Sequence, residues 1–417
     1  MSMLRNILAA AGLVTSAAVG LSVTSVGTVM AADQGSGKTI GKNVAVPLKA
    51  AQDATKKQQW AVALDELKKA QAVQGKTPYE EYQIDNFLAY VLFSQKKMGE
   101  AAVVYERLLN SGQMPPAEVD GRTKSLAQMY FQLKQYDKAA KWSKQLLDKN
   151  PGQQDVAVVL GQSYYLAGDC KNAAATMNTL VTSTERAGQT PKEDWLRMVQ
   201  DCQNKLGNKE GASDALRKIV RHFNKPDDWN ALLTTSRGRH SDQVSLGYFR
   251  LMREAGVLKR DKDYFEFAQL AMDEKVGNAG VEAQQIVEEG ISKGILTSTD
   301  KAMQGRYDRL LEAAKQRAAA SKTSLPQLAK QTEAAQNGQA DVNLGLAYIG
   351  AGDYDQAIAA LQRGIKRGGV TDIDQAQTSL GYALLKKGQK DQARAAFRAV
   401  KKESEWSGLA ELWLLRA

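Results

Sequence analysis

One spacing recurs five times in this chain: a small residue, then an alanine twelve positions later. The segments read LAYVL…EAA, LAQMY…KAA, LGQSY…NAA, LGLAY…QAI and LGYAL…QAR, with the alanines at Ala101, Ala139, Ala173, Ala357 and Ala393. Small residues at both ends of that interval let two helices cross closely, and a larger side chain at either end would overpack the crossing. A helix pair of this size cannot bury its apolar face alone, so it has to stack on copies of itself. The spacing therefore predicts an array of repeats rather than a globule around one core.

Proline usage sets the same phase. Pro78, Pro115, Pro151, Pro191 and Pro226 follow one another at separations of 37, 36, 40 and 35 residues. Proline removes a hydrogen bond from a helix interior and clashes with the preceding turn, so it collects in connections. Each of these prolines closes a helix pair, and no alternating strand pattern competes with the helical one.

The motif resembles the tetratricopeptide repeat. Leu126, Ala127, Tyr130, Tyr136, Ala139 and Pro151 fill one unit of it, and Leu344, Gly345, Tyr348, Gly352, Tyr354 and Ala357 fill another. The resemblance implies an all-α, right-handed α-solenoid of stacked antiparallel helix pairs, whose first helices form a concave groove for extended peptides or partner helices. In that register Phe93, Phe131 and Tyr165 follow the aromatic slot of three successive units, with Asn86, Gln128 and Gln162 nearby. Rings offer apolar contact and amides can pair with a peptide main chain, although the same rings also suit packing against the facing helix. Lys124 stands where the family's carboxylate clamp has a lysine, but Gln128 replaces the clamp's asparagine, so that chemistry is not carried over. The segment YFRLMREAGVLKRDKDYFEFAQLAM resembles exported proteobacterial repeat proteins of unassigned role.

The phase divides the chain into a signal segment (1–32), a flexible mature N-terminus (33–43), an N-terminal array (44–226), a divergent helical region (227–330), two further units (331–403) and a capping helix (404–417). In the divergent region Ala271 and Ala283 take the close contact of two helices. A charged helix is predicted from Thr299 to Ala320, ended by SKTSLP, whose Pro326 marks the expected joint. In the last segment Trp406, Leu409, Ala410 and Trp413 form one stripe. Trp406 and Trp413 thus belong either to a cap over the last repeat or to a surface that docks a partner or a second copy.

Arg5 precedes an apolar, small-residue stretch from Ile7 to Val29, and VMAA offers a cleavage site after Ala31 or Ala32, the layout of a secretory signal peptide. Cleavage predicts a periplasmic protein of a bacterial envelope. An uncleaved anchor is the alternative, because the stretch approaches the length of a spanning helix. No later segment is apolar enough to span a bilayer. The formal charge of +10 becomes +9 on cleavage, since Arg5 is the one charged residue before Asp33. The basic residues are scattered, as solvated helix faces require, yet an exported basic protein favours anionic partners. Nucleic acid is not expected, because no recognition motif is present.

Cys170 opens the second helix of one unit and Cys202 lies late in the first helix of the next, so the two should stand at similar height on packed neighbours. Outside the cytoplasm a disulfide between them is expected, contributing roughly 3–4 kcal/mol. Other motifs dissolve. QGSGKT follows the signal segment instead of a buried strand and lacks the first glycine of a phosphate loop. Ser94 and Lys97 have SxxK spacing without the companion motifs of acyl-transfer enzymes. His222 and His240 stand apart from any ligand pattern, and Asp227 and Asp228 read as a helix start. With no catalytic residue, metal or cofactor expected, the reading is a non-enzymatic scaffold or adaptor for protein or peptide partners in the envelope. An accessory factor binding an anionic envelope polymer, and an enzyme with its site within 227–330, are the alternatives.

Overall fold

The computed structural model describes residues 39–236 and 240–417, so the expected signal peptide and cleavage site lie outside the described residues. Among the described residues the chain forms twenty α-helices and no strand. It is an α-solenoid in which antiparallel helices pack on their neighbours in sequence. Two compact units divide between Ala215 and Leu216.

The first unit holds α1 (Lys42–Lys56), α2 (Trp60–Ala72), α3 (Pro78–Ser94), α4 (Met98–Asn110), α5 (Pro116–Gln132), α6 (Tyr136–Lys149), α7 (Gln154–Ala167), α8 (Cys170–Arg186) and α9 (Glu193–Lys205), and the division falls within α10 (Lys209–Phe223). Local chemistry fixes where these helices start. Before α3, Thr77 accepts from the Glu80 backbone N–H while Glu80 accepts from that of Thr77, with Pro78 in the first turn. This reciprocal cap satisfies donors that would otherwise be orphaned. The same Glu80 carboxylate accepts from the Gly41 backbone N–H at 2.7 Å, tying the start of α1 to the start of α3.

First helices end in a left-handed residue, and the choice of residue differs along the chain. Glycine takes it after α7 and α9, at Gly168 (φ 85°) and Gly207 (φ 71°). The first three pairs instead place Gln58 (φ 57°), Lys96 (φ 60°) and Lys134 (φ 60°) there. A side chain in this conformation costs about 1 kcal/mol or more relative to the right-handed region, which glycine avoids. The recurring small residues have an equally direct cause. A Cβ added at Gly161 would fall 2.6 Å from the Met177 side chain, one at Gly345 would fall 2.6 Å from Leu361, and one at Gly381 would fall 2.5 Å from Phe397.

The second unit continues through α11 (Pro226–Ser236), α12 (Asp242–Glu254), α13 (Asp261–Met272), α14 (Gly280–Ser292), α15 (Lys301–Glu333), α16 (Gln339–Ala351), α17 (Tyr354–Arg367), α18 (Ile373–Lys386), α19 (Lys390–Arg398) and α20 (Ser407–Trp413). Here the sequence expectation of a break at Pro326 is corrected: α15 runs straight through it. Proline forfeits one hydrogen bond, but packing holds the helix on both sides. Before the proline, Ala314 and Ala318 are buried, and a Cβ at Gly280 of α14 would lie 2.3 Å from the Arg317 backbone. Beyond it, Arg367 donates to the Thr332 carbonyl at 3.1 Å. The division between compact units lies at the earlier position.

Candidate functional site

The first unit presents the predicted groove positions on consecutive first helices. Asn86 and Phe93 on α3, Lys124, Gln128 and Phe131 on α5, and Gln162 and Tyr165 on α7 are all half-buried. Two of them lace neighbouring first helices together. Lys124 is ion-paired with Asp155 on α7. The Tyr165 hydroxyl donates to Asp201 of α9 at 2.8 Å, and Lys205, 2.7 Å from the same carboxylate, stands 5.0 Å above the Tyr165 ring. Burial, and then the hydrogen bond to Asp201, pushes the Tyr165 hydroxyl up to about 12. Phe131 meets the edge of Tyr136 with ring centroids 5.6 Å apart, leaving part of its ring uncovered. The amides of Asn86, Gln128 and Gln162, by contrast, make no side-chain hydrogen bond within the protein among the described residues. Half-buried amides retain donors and acceptors that a ligand backbone can use.

At the opposite edge of this unit an open cleft of about 600 Å³ lies between the start of α3 and the end of α4. Arg107 and Asp85 face each other across it in a two-pronged ion pair of 2.9 and 2.6 Å, with Tyr82 and Lys76 alongside. A guanidinium already satisfied by its own carboxylate offers a ligand little.

The inner face of the second unit is filled by its own last helix. Trp406 and Trp413, read from sequence as part of either a cap or a docking surface, are only 4% and 2% exposed. The Trp406 indole N–H donates to Asp372 at 2.8 Å, and the Trp413 ring stacks on Phe397 and leans on Tyr382. On the other side Leu409 sits where a Cβ at Gly247 of α12 would be, 2.4 Å away. The stripe that could have received a partner is thus occupied by α12, α18 and α19. Between these elements remains a space of about 30 Å³, lined by Arg250, Gln375, Ser379 and Tyr382 among others. That is room for about one water.

Beside that space lies a buried ion pair that sequence reasoning missed. Arg250 on α12 donates to both oxygens of Glu282 on α14, at 3.0 and 2.7 Å, and its guanidinium lies 5.7 Å from the Tyr382 ring centroid. Burial, and then the charge of Glu282, pushes the Tyr382 hydroxyl well above its ordinary range. Two helix turns along α14, Glu289 pairs with Arg253 and Lys293 at 2.8 and 2.6 Å. Burial opposes its ionisation, but Lys293 and Arg253 prevail and hold its carboxyl below the usual range. A Glu282–Arg250 pairing leaves no periodic trace, since the residues are 32 positions apart on helices of the divergent region.

The expected disulfide is also corrected. Cys170 and Cys202 are free thiols, too far apart for a bond and both buried. They pack in a small cluster with Ala173, Ala174, Tyr164 and Tyr165, so the sulfurs act as apolar filler between α8 and α9. Burial, and then the neighbouring Cys170, pushes the Cys202 thiol up to about 12, far from the thiolate that reactive cysteines need. Among the described residues no group of three or more histidine, cysteine or acidic side chains converges on a metal position, and no helix is long and apolar enough to cross a membrane.

Comparison with known proteins bears on the same architecture. The family model of the tetratricopeptide repeat matches residues 48–117 and 342–405. No curated protein matches the chain significantly. Similar solved structures include a tetratricopeptide repeat protein from Parabacteroides merdae ATCC 43184, at 12% identity over 90% of this chain and 99% of that one, with a TM-score of 0.29. MamA from Desulfovibrio magneticus RS-1 is 14% identical over 44% of this chain and 96% of its own, with a TM-score of 0.28. The TPR2AB domain of yeast Sti1, solved in a complex with pHSP90, is 12% identical over 72% and 98% of the two chains, with a TM-score of 0.23.

Proposed function

On the premise that this chain is a tetratricopeptide-repeat protein, we propose that it is a non-catalytic scaffold of the bacterial envelope whose first unit binds an extended segment of a partner protein. One observation carries the reading: Asn86, Gln128 and Gln162 keep unspent hydrogen bonds at half-buried positions of three successive first helices. Phe93, Phe131 and Tyr165 share one register; Gln128 and Gln162 each lie three residues before their ring, and Asn86 lies seven before Phe93, level with Lys124. An extended peptide brings main-chain donors and acceptors that need partners once desolvated, and alternate side chains that need apolar contact. Amides and rings in a row answer both needs. Export through the N-terminal segment would put this groove in the periplasm, and the N-terminal mass of the protein isolated from its own cells tests that part: Ala32 or Asp33 as first residue supports it, and an intact Met1 opposes it.

The groove is tested with an array of extended peptides drawn from envelope proteins, followed by titration of the peptides it selects. Replacing Phe93, Phe131 and Tyr165 together by alanine should weaken binding by roughly 100-fold, as removal of central aromatic anchors does. Binding that survives this triple variant within twofold would move the site elsewhere.

A further inference from the structure

The antiparallel pairing puts every turn between a first and a second helix on one edge of the first unit. Contacts confirm the alignment: Trp60, just past the first turn, meets Tyr90 near the end of α3 with centroids 6.3 Å apart, and Lys205 at the end of α9 covers Tyr165 near the end of α7. That edge is rich in lysine. Lys57, Lys96, Lys97, Lys134, Lys138 and Lys171 are all exposed there. Among the described residues Lys57, Lys96, Lys134 and Lys171 have no carboxylate within ion-pair distance, and Lys97 reaches Glu100 only at 4.0 Å.

Scattered lysines are the norm on helical surfaces, so a second observation is needed, and the backbone supplies it. Lys96 and Lys134 occupy the left-handed position at φ 60°, where glycine stands at Gly168, Gly207, Gly256, Gly294, Gly352 and Gly388. The first three pairs thus hold a side chain, Gln58, Lys96 or Lys134, where the later turns of this kind use glycine, and two of the three are charged. Strain concentrated at neighbouring, equivalent positions points from backbone to function.

We infer that this turn edge of the first unit is a docking surface for a linear polyanion, such as a polysaccharide carrying a carboxylate on each sugar. Stacked first helices stand on the order of 10 Å apart, so Lys96 and Lys134, at equivalent positions, with Lys57 one residue before the equivalent Gln58, line one edge that a chain of charges can follow. A one-dimensional row suits a polymer better than a membrane plane. The large apolar residues exposed on the described chain, Val46, Val62, Val103 and Leu206, lie outside the three lysine-bearing turns, so the row has no apolar anchor to insert into lipid. The lysines adjoin the groove rings, since the Lys96 and Lys134 backbone N–H groups donate to the carbonyls of Phe93 and Phe131, but the inference rests on their charge and not on peptide binding.

The test uses the full chain and polygalacturonate, with its fully methyl-esterified form as the neutral counterpart. We expect the charged polymer to bind, the esterified one not to bind, and binding to fade as added salt screens the exposed charges. The decisive variant is Lys96→Gly with Lys134→Gly, which removes two charges while installing the residue that the other turns use. It should raise the melting temperature and weaken binding roughly ten-fold, in line with the loss of two exposed ionic contacts. Replacing Lys68 and Lys149, outside these turns, by glutamine should leave binding within twofold. Failure to bind polygalacturonate, equal binding of the esterified form, or undiminished binding by the glycine variant would each overturn the inference. Binding confined to vesicles of equal parts phosphatidylglycerol and phosphatidylcholine would overturn it in favour of a membrane surface.

Discussion

The two units build their inner faces from the same helix pairs and then use them differently. In the first, Asn86, Gln128 and Gln162 keep unspent hydrogen bonds and Phe93, Phe131 and Tyr165 stay half-exposed. In the second, α20 lies against the first helices, and the remaining space is about 30 Å³. The lesson is that a repeat motif specifies how helices stack and leaves open what lies in the curve they make. Function in such a chain turns on whether the curve is occupied from within.

The largest expected effect tests that occupancy. Trp413→Ala removes a ring packed on Phe397 and Tyr382, and should destabilise the second unit by about 3–5 kcal/mol. Hydrogen exchange would locate the loss: amides of α12, α18 and α19 should exchange faster, while those of α3, α5 and α7 should not change. Loss spread evenly over both units would erase the distinction between them. Next comes the buried pair. Glu282→Ala leaves the Arg250 guanidinium uncompensated and should cost about 3 kcal/mol in urea unfolding, whereas Arg250→Met combined with Glu282→Leu should recover most of it. If the double variant is as weak as the single one, the site depends on its shape and not on its charges.

Smaller effects sharpen the comparison at the helix crossings. Gly280→Ala drives a methyl into the Arg317 backbone, which cannot step aside, and should cost about 1–3 kcal/mol. Gly161→Ala in the first unit meets the flexible end of Met177, and should cost less than about 1 kcal/mol. Equal melting shifts for the two would mean that the backbone contact gives more readily than its geometry implies.

The smallest effect depends on pH. The Thr77 backbone N–H, chiefly, holds the Glu80 carboxyl below the usual range; burial opposes this and the Gly41 N–H assists it. A carboxyl depressed by folding contributes stability that is present above its ordinary value of 4.5 and disappears as pH falls through the depressed one. Glu80→Gln should therefore cost about 1 kcal/mol at neutral pH, the contribution of a helix cap, and progressively less on acidification. A difference that stays constant from pH 7 to about pH 2 would assign the effect to shape.

Much of the fold was legible because close packing leaves a trace in residue size. Ala89, Ala101, Ala173 and Ala357 are buried, and a Cβ at Gly161 or Gly345 would strike Met177 or Leu361, one turn beyond the alanine that the spacing marks. Proline was a less faithful guide. Pro78 and Pro226 do open helices, but Pro326 lies inside one, because tertiary contacts to Gly280 and Arg367 outweigh a single lost hydrogen bond. The disulfide was expected from matching helix heights, yet height does not set the distance between sulfurs. A capping helix was expected at 404–417, but the surfaces it covers were out of reach for a similar reason. An apolar stripe shows that a helix must be covered, whereas what covers Trp406 and Trp413 comes from α12 and α18, more than twenty residues away. The unspent amides of the first unit were visible as residues but not as unspent, since that depends on every neighbour.

The contrast between an open and an occupied inner face is tested most directly by site-specific photo-crosslinking in cells that make the protein. A crosslinking residue is placed at Gln128 in the first unit or at Ser379 beside the enclosed space of the second. We expect discrete protein adducts from position 128 that disappear in the Phe93, Phe131 and Tyr165 triple alanine variant, and none from position 379. Adducts from position 379, or none from position 128, would contradict the assignment of partner binding to the first unit.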